Sequence, residues 1–285
     1  MKRGKKKVVK RKAKKPAYPI AYWSHSSLLA YLRNPLAWYK RYVLKIYDTP
    51  RTPASIVGSA GHVALEHYYG GFSKEQATEV GLEYVRKIAD FEVNFGVART
   101  RAAKKAKRES MEREYLQAIA FYLARAPKHM VLGIEARGMA HVPGLKLPVK
   151  AVSDLVVKSR RRPGAVDIVD HKFVDSFSKE GKDKTLFMLQ AVFNYYTVQE
   201  LYKLPIDRFI VYECKKRKNA DGSAQLKRYV LDYAELGESF AVFHRLLADA
   251  TEEIRRTRAF LPNPSDMFEG EDSFNLYRLR LTEPS

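Results

Sequence analysis

The stretch VDIVDHKFVD, residues 166–175, reads as a strand, yet it sets aspartates, a histidine and a lysine among its apolar positions. Val166, Ile168, Val169 and Phe173 expect burial. Side chains two apart on a strand share a face, so Asp170 and Lys172 project together while His171 projects the other way. Taken alone, an Asp-x-Lys pair describes an ordinary ion pair on a half-exposed strand. Its neighbours in the fold decide between that and a reactive site.

Asp154 is the first such neighbour. It lies in AVSDLVV, in the middle of the preceding strand, flanked by residues that expect burial. A buried carboxylate costs several kcal/mol unless something pairs with it. Two on neighbouring strands therefore point to a shared cation, with pairing to local Lys or Arg as the plainer alternative. A Mg²⁺ or Mn²⁺ ion suits an oxygen-rich donor set of this kind. In GSAGHVALEHYY, Gly58, Ser59, Ala60 and Gly61 strip bulk from a helix so that it can approach a sheet, which brings His62 near; Glu66 follows one turn on.

Composition narrows the partner. The chain has 285 residues, 46% of them apolar, enough for a real core. No apolar run approaches the roughly 18 residues that cross a bilayer, and the basic start lacks the apolar stretch of a secretory signal. We expect no membrane partner and an intracellular setting: cytoplasm, nucleoid or infected bacterial cell, or nucleus or mitochondrion in a eukaryote. The one cysteine, Cys214, excludes an intrachain disulfide framework. The net charge of +20 speaks for a polyanion, and MKRGKKKVVKRKAKK supplies ten Lys or Arg without one acid. That arm cannot bury a core and is expected to be disordered in isolation, tracking phosphates or serving as an address.

Along the chain, SHSSLLAYLRNPLAWYKRYVLKIY reads as two short helices with Ser26 or Ser27 as N-cap and a break at Asn34-Pro35. A helix closed by Gly70-Gly71 follows, then helical patterns over 74–95 and 109–126 separated by the basic RTRAAKKAKR. The period then changes. Strands are predicted over 131–142, 147–159 and 164–174, a helix over 186–202, strands over 206–214 and 225–232, and a helix over 234–257. No internal repeat is visible. This order gives an α/β fold, a mixed central sheet flanked by helices behind a helical N-terminal portion. The expected organisation is an arm over 1–17 and a single domain over 18–285, mainly helical to 128 and α/β from 129.

GSAGHVALEHYY, SDLVV, IVDHKF and LQAVFNYY, in that order, resemble the RecB-type branch of the PD-(D/E)XK nucleases over about residues 24–265. The resemblance implies a restriction-endonuclease-like core and a Mg²⁺- or Mn²⁺-dependent deoxyribonuclease. It makes His62, Asp154 and Asp170 the metal ligands, with Lys172, Asp170, Asp154 and Glu135 the catalytic set. It places Gln190 against the substrate backbone; the tyrosine expected four residues on is replaced by Asn194, with Tyr195 and Tyr196 following. The basic clusters, with Lys104, Lys105, Arg160 and Arg161 foremost and Lys215 to Lys218 beside them, are expected on DNA. Tyr68, Tyr69, Tyr195 and Tyr196 are candidates for base stacking.

Exonucleolysis at DNA ends or on single strands, in recombination, repair or replication and with a protein partner from those processes, is the activity the resemblance favours. A structure-specific endonuclease and a non-catalytic scaffold are the alternatives. Many relatives also hold an iron–sulfur cluster on four cysteines. Here Asn34 stands where the first would sit and FLPNPSDMFEGEDSF contains none. The expectation is therefore no iron–sulfur cluster, and ends joined by Phe260, Leu261 and Phe268 packing near Leu32 and Trp38.

Overall fold

The computed structural model describes residues 17–47, 49–178, 184–220, 225–256 and 259–262, with backbone alone for 184–186. The arm's residues 1–16, and Pro264, Ser265 and Phe268, lie outside the described residues. The elements run β1 (Trp23–Ser24), α1 (His25–Arg33), α2 (Pro35–Trp38), α3 (Pro53–Tyr69), α4 (Lys74–Lys87), α5 (Arg101–Ala124), β2 (Val131–Ala140), β3 (Val149–Lys158), β4 (Val166–Val174), α6 (Lys184–Tyr202), β5 (Ile206–Lys215), β6 (Leu226–Asp232) and α7 (Gly237–Arg256).

The helical half departs from its sequence pattern in three places. The first cap is Ser24 rather than Ser26 or Ser27: Ser27 N donates to Ser24 Oγ at 3.2 Å while Ser24 N donates to Ser27 Oγ at 2.8 Å. The helix expected over 74–95 stops at Lys87, where Ile88 turns extended, and a 3₁₀ turn at Asp90–Glu92 follows. The basic stretch expected to separate two helices is instead the first turns of α5, with Thr100 accepting from Ala103 N at 3.1 Å. Lys, Arg and Ala are strong helix formers, so a polar run need not be a loop.

The sheet has six strands in the order β1-β3-β4-β5-β6, with β2 also on β3. β3 organises it. One edge pairs antiparallel with β2 from Val131↔Val157 to Ala140↔Val149. The other edge is shared: β4 pairs only from Leu155↔Val169 to Lys158↔Val166, and β1 takes Val149 and Lys150. Between those contacts β3 and β4 part, because β4 continues alongside β5, parallel, as far as Val174↔Lys215. The sheet is forked at Asp154 and Asp170.

Helices cover both faces. α3, α4 and α5 bury Ile56, Val57, Ile119 and Tyr122 against Leu155, Val169 and Ile210. α6 buries Ala191 and Val198 against Val156, Ile168 and Val211. It lies close because Gly138 has no side chain: a Cβ there would stand 2.8 Å from Thr197 Cβ. α7 joins α6 to the N-terminal helices through Phe193, Phe243, Trp23 and Trp38, with Trp23 Nε1 donating to Thr251 Oγ1 at 2.8 Å. Phe260 makes the predicted contact to the first helices, its ring 4.8 Å from that of Tyr39 and 5.4 Å from that of Trp38. Leu261 does not, being exposed.

Candidate active site

The fork gives Asp154 its position. Its Oδ2 accepts from His171 N at 2.7 Å, taking the amide that a continued β3–β4 ladder would have paired with backbone. From the opposite side His62 Nδ1 approaches the same oxygen at 3.2 Å. α3 can bring His62 this close because of Gly61, where a Cβ would come 2.2 Å from the Phe173 ring. Phe173 in turn meets His62 edge-on, centroids 6.2 Å apart.

Asp170 and Lys172 share a face of β4, as the strand period requires. Lys172 Nζ lies 2.7 Å from Asp170 Oδ2, and Gln190 Nε2 on α6 donates to Asp170 Oδ1 at 2.6 Å. Glu135 arrives by another route. Its φ of +47° puts it in the left-handed region, between the pairs Ile134↔Leu155 and Ala136↔Ser153, while the β2–β3 register continues unchanged on either side. A glutamate held there carries strain of about 1–3 kcal/mol. Ligand atoms of His62, Glu135 and Asp154 all lie within 4.8 Å of one another.

The charges are mutually dependent. Burial works against a charged His62, but Asp154 outweighs it and holds the imidazole up at about 9. Burial likewise opposes the Asp154 carboxylate, yet His62 and the His171 amide keep it down at about 2. Asp170 is raised by burial and by Asp154, against the pull of Lys172. Glu135 is raised too, by burial and then by Asp154. Two acids that resist ionising beside a third are what an added cation would relieve. Carboxylate oxygens with one imidazole suit a divalent ion. The residues present therefore fit a metal, with ligand atoms of His62, Glu135 and Asp154 grouped together and Asp170 tied to them through its charge coupling to Asp154 and His62.

The PD-(D/E)XK nuclease superfamily pattern matches residues 22–267. The chain belongs to the PD-(D/E)XK nuclease superfamily. A solved structure entitled "Crystal structure of SSO0001" is similar over 79% of this chain and 81% of its own, at 14% identity and a TM-score of 0.31. No curated protein sequence matches.

Several residues expected on substrate stand elsewhere. Helical period puts Gln190 and Asn194 on one face of α6, where Asn194 Oδ1 accepts from Ser153 Oγ at 2.6 Å. Tyr195 and Tyr196 face away. Tyr195 packs on Tyr233 and Phe240, and Tyr196 OH meets His244 Nε2 at 2.8 Å under α7. Tyr69 stacks on His171 and contacts Tyr122 OH at 3.1 Å, while Tyr68 packs against the same core.

The basic clusters are partly spent inside the protein. Arg161 is held by Asp207 and Asp232, both at 2.5 Å. Lys216 is buried on Asp175 and Arg217 pairs with Glu114. Lys104 lies over the Phe95 ring and Lys105 is exposed on the second turn of α5. Arg160 donates to Lys128 O. None of these touches the fork. Glu213, which sequence reasoning passed over, is buried opposite Lys172 on β5 and strengthens that ammonium's hold on its proton. Only its register with Lys172 could have revealed it.

Proposed function

We propose that the chain is a divalent-metal-dependent deoxyribonuclease that hydrolyses phosphodiester bonds. One observation carries this: the β3–β4 fork gathers Asp154, Asp170 and Lys172 with His62 and Glu135, a donor set with no structural purpose in a core. When bound, Mg²⁺ or Mn²⁺ would supply charge neutralisation at the scissile phosphate and at the leaving oxygen. His62, Glu135, Asp154 and Asp170 would hold it.

The chain's own part follows from the geometry. Lys172, a cation in its pair with Asp170, orients the attacking water and offsets charge developing on the phosphate in the transition state. Gln190 fixes the Asp170 carboxylate. His171 serves through its backbone amide, which holds Asp154, while its ring, kept neutral by burial, sits among Tyr69, Tyr122 and Tyr212. Exonucleolysis is the mode we favour, supported by the likeness to RecB-type nucleases alone; DNA repair, recombination or replication is the corresponding setting.

The test is incubation with end-labelled single- and double-stranded DNA, and with a circular duplex, in Mg²⁺, Mn²⁺ or EDTA. Cleavage of linear DNA that EDTA stops is the expected result. An intact linear substrate in both metals overturns the nuclease reading, and a nicked or cut circle overturns the exonuclease mode.

A further inference from the structure

A cavity of about 210 Å³ opens where β3 and β4 are paired, on the side of the Tyr212 ring away from His171, between residues 127–129 and the strands β3 to β6. α3 leads to it from the fork: Tyr69 OH, seven residues or about 10 Å of helix beyond His62, donates to Pro127 O at 3.1 Å. The wall is aromatic and cationic, with His129 and Tyr212 edge to face at 5.9 Å and the guanidiniums of Arg160, Arg208 and Arg228 around them.

One buried polar atom in this wall has nothing to bond, and one hydroxyl at its surface is free for a ligand. His129 Nε2 is buried and makes no hydrogen bond, and the Tyr212 hydroxyl has no hydrogen-bond partner among the described residues. An orphaned buried polar atom is costly, so His129 Nε2 calls for a partner that a ligand in this cavity would supply, with the accessible Tyr212 hydroxyl beside it. The charge is equally unbalanced. Lys128 and Lys158 add to the three arginines, against Asp167 alone, and Asp167 is already held by Arg208 at 2.6 Å. Arg228 is exposed on β6 and has no carboxylate partner among the described residues. Guanidinium forks match the oxygens of a phosphate. The volume, roughly seven waters' worth at about 30 Å³ each, holds a phosphate with its sugar but not a strand running through.

We propose that this cavity is a phosphomonoester site, taking the terminal phosphate of a nucleic-acid strand or of a free nucleotide on Arg228, Arg160, Tyr212 and His129. It is independent of the cleavage reading, because binding is measured without turnover.

The experiment is calorimetric titration of the full chain in EDTA. The probes are inorganic phosphate, deoxyadenosine 5′-monophosphate, deoxyadenosine, and one oligonucleotide with and without a 5′-phosphate. The nucleotide should bind where the nucleoside does not, or the phosphorylated oligonucleotide should bind more tightly than its partner; the first result names a free nucleotide as the source, the second a strand end. Arg228→Gln and Tyr212→Phe should each weaken that binding about tenfold, the loss of one charge-assisted or buried hydrogen bond.

Phosphorylated and unphosphorylated probes that bind alike overturn the site. So do two folded variants that bind like the wild type. Should Tyr212→Phe fail to fold, Arg228→Gln at its exposed position decides the matter. Phosphate binding lost while cleavage persists would sink only this site, and cleavage absent while phosphate binding persists would sink only the nuclease reading.

Discussion

Removing Lys172 strips the fork of the cation 2.7 Å from Asp170 and leaves a buried carboxylate with Gln190 alone. Lys172→Ala, Asp154→Ala and Asp170→Ala are each expected to slow single-turnover cleavage by at least about a hundredfold, the scale for losing one preorganised charge. DNA affinity should stay within a few-fold of wild type, because phosphate contacts made elsewhere supply it. Wild-type cleavage by Lys172→Ala would remove β4 from the chemistry. Glu135 makes a separate prediction. At its φ of +47° a glycine is unstrained and an alanine is not. Glu135→Gly should therefore be about 1 kcal/mol more stable than Glu135→Ala by denaturant unfolding, the reverse of the usual order in a strand, and both should bind metal more weakly. The Asp-x-Lys, Asp154 and His62 were legible because residue type and spacing encode them. The turned backbone at Glu135 was not, since nothing in GIEARG signals a left-handed glutamate.

At the scale of elements, the site exists because α3 sits directly on β4. Gly61→Ala would drive a methyl into the Phe173 ring, and overpacking of this kind typically costs about 1–3 kcal/mol. Cleavage should fall as well, since Phe173 and His62 are in edge contact. Thermal melts and rates measured together check this; an alanine variant with native rate and stability would show that the close approach is not required. The change of hydrophobic period from helix to strand near residue 129 was readable, and strands β2 to β6 fall within about two residues of their predicted limits. The helix of lysines that opens α5 was misread because charge resembles a linker when no packing information accompanies it. Tyr195 and Tyr196 were misplaced for a related reason: adjacent to a site residue in sequence, they are turned from it by the 100° step of the helix.

For the whole molecule, net charge overstates what faces DNA. Within the described residues Arg161, Arg208, Lys216, Arg217 and Arg86 are held by carboxylates, whereas residues 1–15 contain no acid. Deleting them should weaken DNA binding and flatten the slope of log affinity against log salt, by up to about nine if all ten cations meet phosphate on duplex. An unchanged slope assigns the arm another task. Divalent metal should also stabilise the fold: at about a hundred times its Kd, Mg²⁺ adds ~2.7 kcal/mol. A melting temperature that rises with Mg²⁺ and falls back with EDTA would show this, and an Asp154→Asn variant should lose most of the rise.

The two-residue strand β1 has a temporal consequence. Trp23 pairs with Val149 on β3 and bonds to Thr251 on α7, 228 positions away. Contacts so distant along the chain must close large loops before they return any energy, and they form late. The edge of β3 beside the fork is thus completed only once α7 is in place. A nascent chain still lacking that helix would carry Asp154, Asp170 and Lys172 without a finished scaffold around them, so the fork is completed only after α7 has emerged and not before. Hydrogen exchange during refolding should then protect the amides of β4 and β5 before that of Trp23.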